Sequence, residues 1–273
     1  MSTNFDFKIK DQDDAKEKAN ECMTRHYAQR SSNRARHLPL HAPRNDADYS
    51  LDVSFLIGSA TRDRPPEQFV NKAIANINEI SKDSKYSYEI LVISEEEITG
   101  DNVTWIKEEE YNDGLVGAYN ALVPHTNGKY LVYTVDDCWF DDQFYTTIDL
   151  LESYVYNHRH LKLLCVGSDN GLGSFMPSSY PKYGVYRYPV VAKETVMNFF
   201  DGHLFHPDFK NHYADNWLGY WVAHMFDETM VEVWNTTVHI PDGAPSYNHH
   251  NDADKSAFDA LVKRFQEGYH RYI

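Results

Sequence analysis

Two adjacent carboxylates, Asp136 and Asp137, follow directly on the apolar run from Tyr130 to Val135. Like charges side by side at the end of an apolar segment repel each other and lose solvation unless a cation or hydrogen-bond donors compensate. A divalent ion is an economical solution, because hard oxygen ligands suit Mg²⁺ or Mn²⁺, which take one or two protein carboxylates and fill their shells with phosphate oxygens. The same pair can instead form a capped turn before Trp139, where aspartate is common. Other chemistries find no support. The sequence lacks a Gly-x-x-x-x-Gly-Lys-Ser/Thr loop, a Gly-x-Ser-x-Gly elbow and a His-Glu-x-x-His helix. His249 and His250 have no partner at metal-site spacing and read as a solvated loop, while Cys138 and Cys165 end apolar runs and read as small core residues.

The elements that must position these residues are visible in the periodicity. Val53 to Ile57 reads as a buried strand that enters a loop at Gly58-Ser59-Ala60-Thr61. After Pro65 and Pro66, apolar positions Phe69, Ala73, Ile77 and Ile80 predict a helix with prolines near its start. Tyr88 to Ile93 and Val103 to Ile106 read as strands, Leu115 to Leu122 as a helix opened by Asn112-Asp113-Gly114, and Tyr130 to Val135 as the strand that ends at the paired acids. Strands alternating with helices imply right-handed crossovers and a mostly parallel α/β sheet flanked by helices, with ligands at the carboxyl ends of the strands. Further on, Phe144 to Tyr156 predicts a helix and Leu161 to Val166 a strand. Gly167 to Tyr188, rich in Gly, Ser, Pro and Tyr, reads as a long functional loop. Helices are expected over Lys193 to Phe200, Ala214 to Phe226 and Asp252 to Tyr269, with a strand or hairpin over Met230 to Ile240.

Composition narrows the function classes. A chain of 273 residues with 42% hydrophobic and 25% charged residues fits a globular domain, so disorder and coiled coil are excluded. A net charge of -15, from 41 acids against 26 Lys and Arg, argues against nucleic acid as a partner, since phosphate backbones need clustered cations. Three cysteines, Cys22, Cys138 and Cys165, are too scattered for a disulfide framework, which points to a reducing, cytoplasmic setting. The first residues alternate acids and lysines without the apolar core of a signal peptide, and nowhere do about 18 uncharged apolar residues run together as a transmembrane segment requires. Residues 1–48 form an arm, acidic and then basic through Arg25, Arg30, Arg34, Arg36 and Arg44, with a partly helical stretch around Ala15 to Tyr27. Residues 49–273 are expected to form one domain, with 49–140 and 141–273 as its halves.

The order of these features, a strand ending Ser59-Ala60-Thr61-Arg62, a second ending near Ser94-Glu95, a helix behind Asn112-Asp113-Gly114, and Gly128-Lys129-Tyr130 leading to paired Asp, resembles the nucleotide-sugar-binding half of GT-A fold glycosyltransferases, particularly the family 2 type. The resemblance runs from about Asp52 to Phe140 and continues more weakly to about His239. In that family the strand-end motif is Asp-X-Asp or a variant. Aligned on the strand, its last acid falls on Asp137 and its first on Val135, so the resemblance implies Asp137 as metal ligand and Asp136 as a ribose or outer contact.

It implies further that Ser59, Thr61 and Arg62 border the nucleotide and that Glu95 lies near its base or ribose. Asp113, Gly114 and Gly117 would flank a uracil-like base and the diphosphate, the glycines allowing close backbone approach. Arg62 and Arg64 can equally be surface charges. Tyr213 to Gly219 resembles the segment whose acid, here Asp215, acts as general base, although a helix cap also explains that placement. Tyr183 to Pro189 resembles the segment before the acceptor site, with Arg187 as a phosphate or acceptor contact and its tyrosines otherwise packing residues. His239 matches a position where many members place a histidine near metal or diphosphate, and a structural strand histidine is the other reading. The implied activity is transfer of a sugar, with Mn²⁺ or Mg²⁺, from a nucleoside diphosphate donor, UDP favoured, to the hydroxyl of a glycan, a lipid-linked or a small-molecule acceptor. A single displacement based on Asp215 inverts the anomeric carbon. A nucleotidyltransferase is a rival, although Gly58 to Arg64 is a poor version of its glycine-rich basic loop. A non-catalytic nucleotide- or glycan-binding module is another.

Overall fold

A computed structural model describes residues 5–7, 49–59, 65–108, 114–152, 161–168, 186–226, 231–239 and 251–273. In chain order its strands are β1 (Phe5–Phe7), β2 (Leu51–Gly58), β3 (Tyr88–Ser94), β4 (Val103–Lys107), β5 (Gly128–Val135), β6 (Trp139–Phe140), β7 (Leu163–Ser168), β8 (Pro189–Ala192) and β9 (Val231–His239). The α-helices are α1 (Val70–Ser81), α2 (Gly114–Leu122), α3 (Tyr145–Leu150), α4 (Lys193–Phe199), α5 (Ala214–Phe226) and α6 (Asn251–Gln266).

The strands form one sheet in the order β1-β9-β7-β8-β5-β2-β3-β4, with β6 added against β9. Only β6 and β8 run against the rest, so β2, β3, β4, β5, β7 and β9 all deliver their carboxyl ends to one rim. Alternation along the central strands divides the core. Val53, Phe55 and Ile57 face a cluster with Ile90, Val132 and the α1 residues Val70, Ala73, Ile74 and Ile77. Leu56, Leu91, Leu131 and Tyr133 face the other, closed by Val116 and Tyr119 of α2, Trp217 and Trp221 of α5, and Phe258 and Leu261 of α6. Helices on both faces explain why these strands read as continuous apolar runs rather than as polar and apolar alternation.

The rim opposite the carboxyl ends is held by a buried acid. Glu89 accepts hydrogen bonds from Ser54 Oγ (2.6 Å), the Asn127 amide (2.5 Å) and Asn127 Nδ2 (2.9 Å), joining the starts of β2, β3 and β5. Lys193 donates to the Thr126 carbonyl there, and its pKa is lowered by desolvation against the opposing pull of Glu89.

Most expected elements are present within a residue or two. Besides the arm strand β1, two strands are additional: β6, only two residues long, and β8, which begins at Pro189 and runs without a turn into α4. Three residues of the arm, Phe5 to Phe7, form an edge strand parallel to β9. The stretch expected to be helical around residues 15–27 lies outside the described residues, as do 153–156 of the helix expected from Phe144 and 169–185 of the long loop.

Candidate functional site

The sheet order reverses beside β2. The chain moves from β2 to β3 and β4 on one side, then returns to lay β5 on the other. At such a switch point the two following loops part and leave a crevice beyond the strand ends. The register aligns Gly58 with Val135, so Ser59 and Asp136 emerge side by side. Ser59 Oγ donates to Asp136 Oδ2 at 2.7 Å, and Asp136 is 1% exposed against 8% for Asp137. Gly58 lets the Leu115 side chain pack close to the end of β2: a Cβ there would stand 2.7 Å from Leu115 Cδ1, which would have to shift. Tyr119 of α2 donates to the Thr134 carbonyl at 2.6 Å and ties the helix to β5 just before the acids.

At the start of α2, Gly114 adopts φ +69°, and a Cβ would lie 2.5 Å from the Lys210 carbonyl oxygen and 2.6 Å from Asn211 Oδ1. The close approach this glycine permits is thus made by the 210–211 segment. That segment also caps the helix, since the Leu115 amide donates to Asn211 Oδ1 (2.7 Å) and the Val116 amide to the Lys210 carbonyl (3.0 Å). Gly117 follows, half-buried, one turn along, and Glu95 stands half-buried just past β3, the strand whose Ile93 carbonyl accepts the Ser59 amide. Thr61, Arg62, Arg64 and Asp113 lie outside the described residues.

Asp215 sits in the first turn of α5, entered through Tyr213 in a left-handed conformation (φ +61°) that is uncommon for a non-glycine residue. Its Oδ1 accepts the Asn216 amide at 2.9 Å. Burial pushes the carboxyl upward, opposed by the nearby Arg187 guanidinium and by that amide. Arg187 and Asp215 are therefore neighbours, and the Tyr186 amide leans on the Asp215 carbonyl at 3.4 Å. The next residue closes the gap to the paired acids. Tyr188 packs against the core cluster that contains Cys138, whose Sγ donates to Asp137 Oδ1 at 3.7 Å. Desolvation, and then the charge of Asp137, raise the Cys138 pKa well above its usual value, which keeps the sulfur an S–H donor. The backbone of His239 pairs with Trp139, two residues beyond Asp137.

Two acids of the second half lie elsewhere. Glu194 pairs with Lys162 and acts on Tyr49, and Asp208 is exposed with Oδ2 3.8 Å from His206 Nδ1. One acid that periodicity did not single out is central to the geometry. Asp254 of α6, 1% exposed, accepts the amides of Lys210 (2.8 Å), Asn211 (2.9 Å) and His212 (2.7 Å).

For a divalent cation, the donor set present is two carboxylates on consecutive residues, one already oriented by a serine. Among the described residues no cluster of three or more His, Cys, Asp or Glu side chains could enclose a metal. Such a set fits a hard cation that shares its shell with a diphosphate rather than one caged by protein. A separate cavity of about 380 Å³ is lined by His206, Trp217, Arg264, His270 and Tyr272 and includes none of these candidate residues. No described helix is long and apolar enough to cross a membrane.

No protein-family model and no curated protein matches the sequence. Solved structures do. Mannosyl-3-phosphoglycerate synthase from Rubrobacter xylanophilus aligns with TM-score 0.55 and 13% identity over 80% of this chain and 74% of that one. Mannosyltransferase PcManGT from Pyrobaculum calidifontis, in complex with GDP-Man and Mn²⁺, aligns with TM-score 0.51 and 13% identity over 93% of this chain and 76% of that one. A third match, the 1–349 fragment of S. aureus TarS with UDP-GlcNAc, has TM-score 0.49 and 10% identity over 71% of this chain, which spans 60% of its length. The chain has the GT-A fold, a mixed α/β sheet, mostly parallel and flanked by helices.

Proposed function

We propose that this chain is a glycosyltransferase that moves a sugar from a nucleoside diphosphate donor, UDP favoured, to an acceptor hydroxyl on a glycan, a lipid-linked molecule or a small molecule, in the cytoplasm. The observation that carries the reading is the convergence at one rim. Asp136 and Asp137 end the strand at the switch point, and Cys138 and Tyr188 connect them to the segment that sets Arg187 beside Asp215. The GT-A fold supports the same reading.

In this account Ser59 fixes Asp136 toward the ribose, while Glu95, Thr61, Arg62 and the Asp113-to-Gly117 turn line the nucleotide. Asp137, with His239, would hold Mn²⁺ or Mg²⁺, which neutralises charge on a diphosphate leaving group. Asp215 accepts the proton of the acceptor hydroxyl as its oxygen bonds to the anomeric carbon and the bond to the diphosphate oxygen breaks. One displacement of this kind inverts configuration. Burial raises the basicity of Asp215 toward the working pH, as a general base requires. Arg187 opposes that rise and would contact an anionic acceptor group.

The test is incubation with a panel of nucleoside diphosphate sugars with and without Mn²⁺, followed by nucleotide analysis. Slow release of nucleoside diphosphate, accelerated by the metal, is expected. In a parallel incubation with nucleoside triphosphates and sugar 1-phosphates, pyrophosphate release would mean a nucleotidyltransferase, and binding of the diphosphate sugars without turnover a binding module, the reading that Val135 in place of the first acid of the motif keeps in view.

A further inference from the structure

We propose that Asp254 is a positioning residue that holds the donor-side helix α2 and the base Asp215 in one fixed relation; this rests on the assignment of Asp215 above. The carboxylate directs its hydrogen-bonding capacity away from its own helix. Asp254 lies in the first turn of α6, where acids commonly serve their own helix, yet Oδ1 accepts the Lys210 amide and Oδ2 the amides of Asn211 and His212. Three consecutive backbone N–H groups converge on one carboxyl, and hydrogen bonds to a carboxylate are stronger than those between neutral groups. Consecutive amides can converge on one carboxyl only if the backbone of 210–212 is held in a single conformation.

Both ends of that segment lead into the site. On one side, the residues whose amides Asp254 holds are those that cap α2. Lys210 gives its carbonyl to Val116 and Asn211 gives its side chain to Leu115, against the Gly114 turn where no Cβ would fit. On the other side the chain passes from His212 through the left-handed Tyr213 into Ala214 and Asp215. A non-glycine residue keeps such a conformation only when its surroundings over-determine it, and the bond from His212 to Asp254 supplies that constraint immediately upstream. The elements that flank donor and acceptor are thus referenced to one buried carboxylate contributed by a helix that itself carries none of the candidate residues.

The full-length chain can test this with three variants. Asp254→Ala removes all three acceptors. Asp254→Asn can retain two of the bonds but turns an amide toward a donor, and serves if the alanine variant fails to fold. Leu261→Ala, a core change on the same helix, controls for general loss of stability. By hydrogen exchange, the Leu115 and Val116 amides should lose about tenfold or more of their protection in Asp254→Ala, the scale of one charged hydrogen bond. Leu261→Ala should leave them close to the parent relative to its global stability. In transfer assays kcat should fall about 10²-fold with Asp254→Ala, as expected for a displaced base. Unchanged protection at 115 and 116, or an equal loss in the Leu261 variant, would overturn the linkage, and lost protection with unchanged kcat would overturn its role in placing the base. Exchange reads without any activity, so a parent chain that transfers no sugar would count against the proposed function and not against the tie between α6 and α2.

Discussion

Asp215 is pulled in two directions: burial raises its pKa, and Arg187 with the Asn216 amide opposes the rise without cancelling it. A general base acts in its deprotonated form, so transfer should fall as pH drops through the raised pKa, with the acid limb above the position of an ordinary aspartate. Arg187→Gln removes an opposing charge and should move that limb to still higher pH in a kcat profile; a limb that stays in place would separate Arg187 from Asp215. The same shift has a sign for stability. The folded chain binds this proton more tightly than the unfolded one, so the contribution of the group is greatest below the ordinary aspartate pKa and declines as pH rises through the raised value. Asp215→Asn should therefore unfold near neutral pH at the same temperature as the parent or a higher one by calorimetry, while transfer falls about 10²-fold. A lower unfolding temperature would make Asp215 chiefly a helix cap. At the strand end, Asp137→Ala should abolish Mn²⁺-dependent nucleotide binding in titration calorimetry and Asp136→Ala should weaken it less. Undiminished binding by the Asp137 variant would remove that residue from the site. The paired acids were picked out by the apolar run that they end, and Asp215 by the resemblance of Tyr213 to Gly219 to a family segment. Asp254 was not, since its partners lie 42 to 44 residues away and an acid in a first helical turn looks like every other.

Among the elements, those with a clear period were readable in the sequence: β2, β3, β5, α1 and α5 all stand within a residue or two of their expected bounds. Elements that depend on neighbours were not. β8 is short and abuts α4 without punctuation, and it exists because β5 and β7 present unpaired edges to it. β6 is two residues held by β9. Gly128, at the start of β5, illustrates a constraint set by packing between elements. An added Cβ would lie 2.4 Å from the Ser54 amide nitrogen and 2.5 Å from Ser54 Oγ, close to the Glu89 network. Gly128→Ala should cost about 1–3 kcal/mol, the usual range for overpacking, seen as a lower urea midpoint. Nucleotide affinity should persist, because the clash lies at the opposite end of β5 from Asp136, and a joint loss of both would show that the two ends of the strand are coupled.

For the molecule as a whole, the arm is the open question that a truncation answers. Residues 1–48 carry few periodic apolar positions, so removal of the arm should leave a folded core that binds nucleotide. It would also strip Phe5 to Phe7 from β9 and bare a parallel edge, a template for pairing with another chain. Sedimentation of the truncated protein should show association that grows with concentration. A strictly monomeric product would mean the edge is protected otherwise, and an insoluble one that the arm belongs to the core.

The reversed direction of β8 has a consequence for how such a protein can diversify. Because β7 runs toward the rim and β8 runs away from it, the segment between Ser168 and Tyr186 departs from and returns to the same side of the sheet. Its two ends, Ser168 at the close of β7 and Tyr186 bonded to the Asp215 carbonyl, keep their places whatever the sequence between them. Doubling the length of a flexible insert costs only about 0.6 kcal/mol in closure entropy. Under the proposed function, lineages could therefore rewrite this part of the chain at little expense to the fold, while the carboxylates across the crevice, anchored on a strand buried on both faces, would stay committed to one kind of donor.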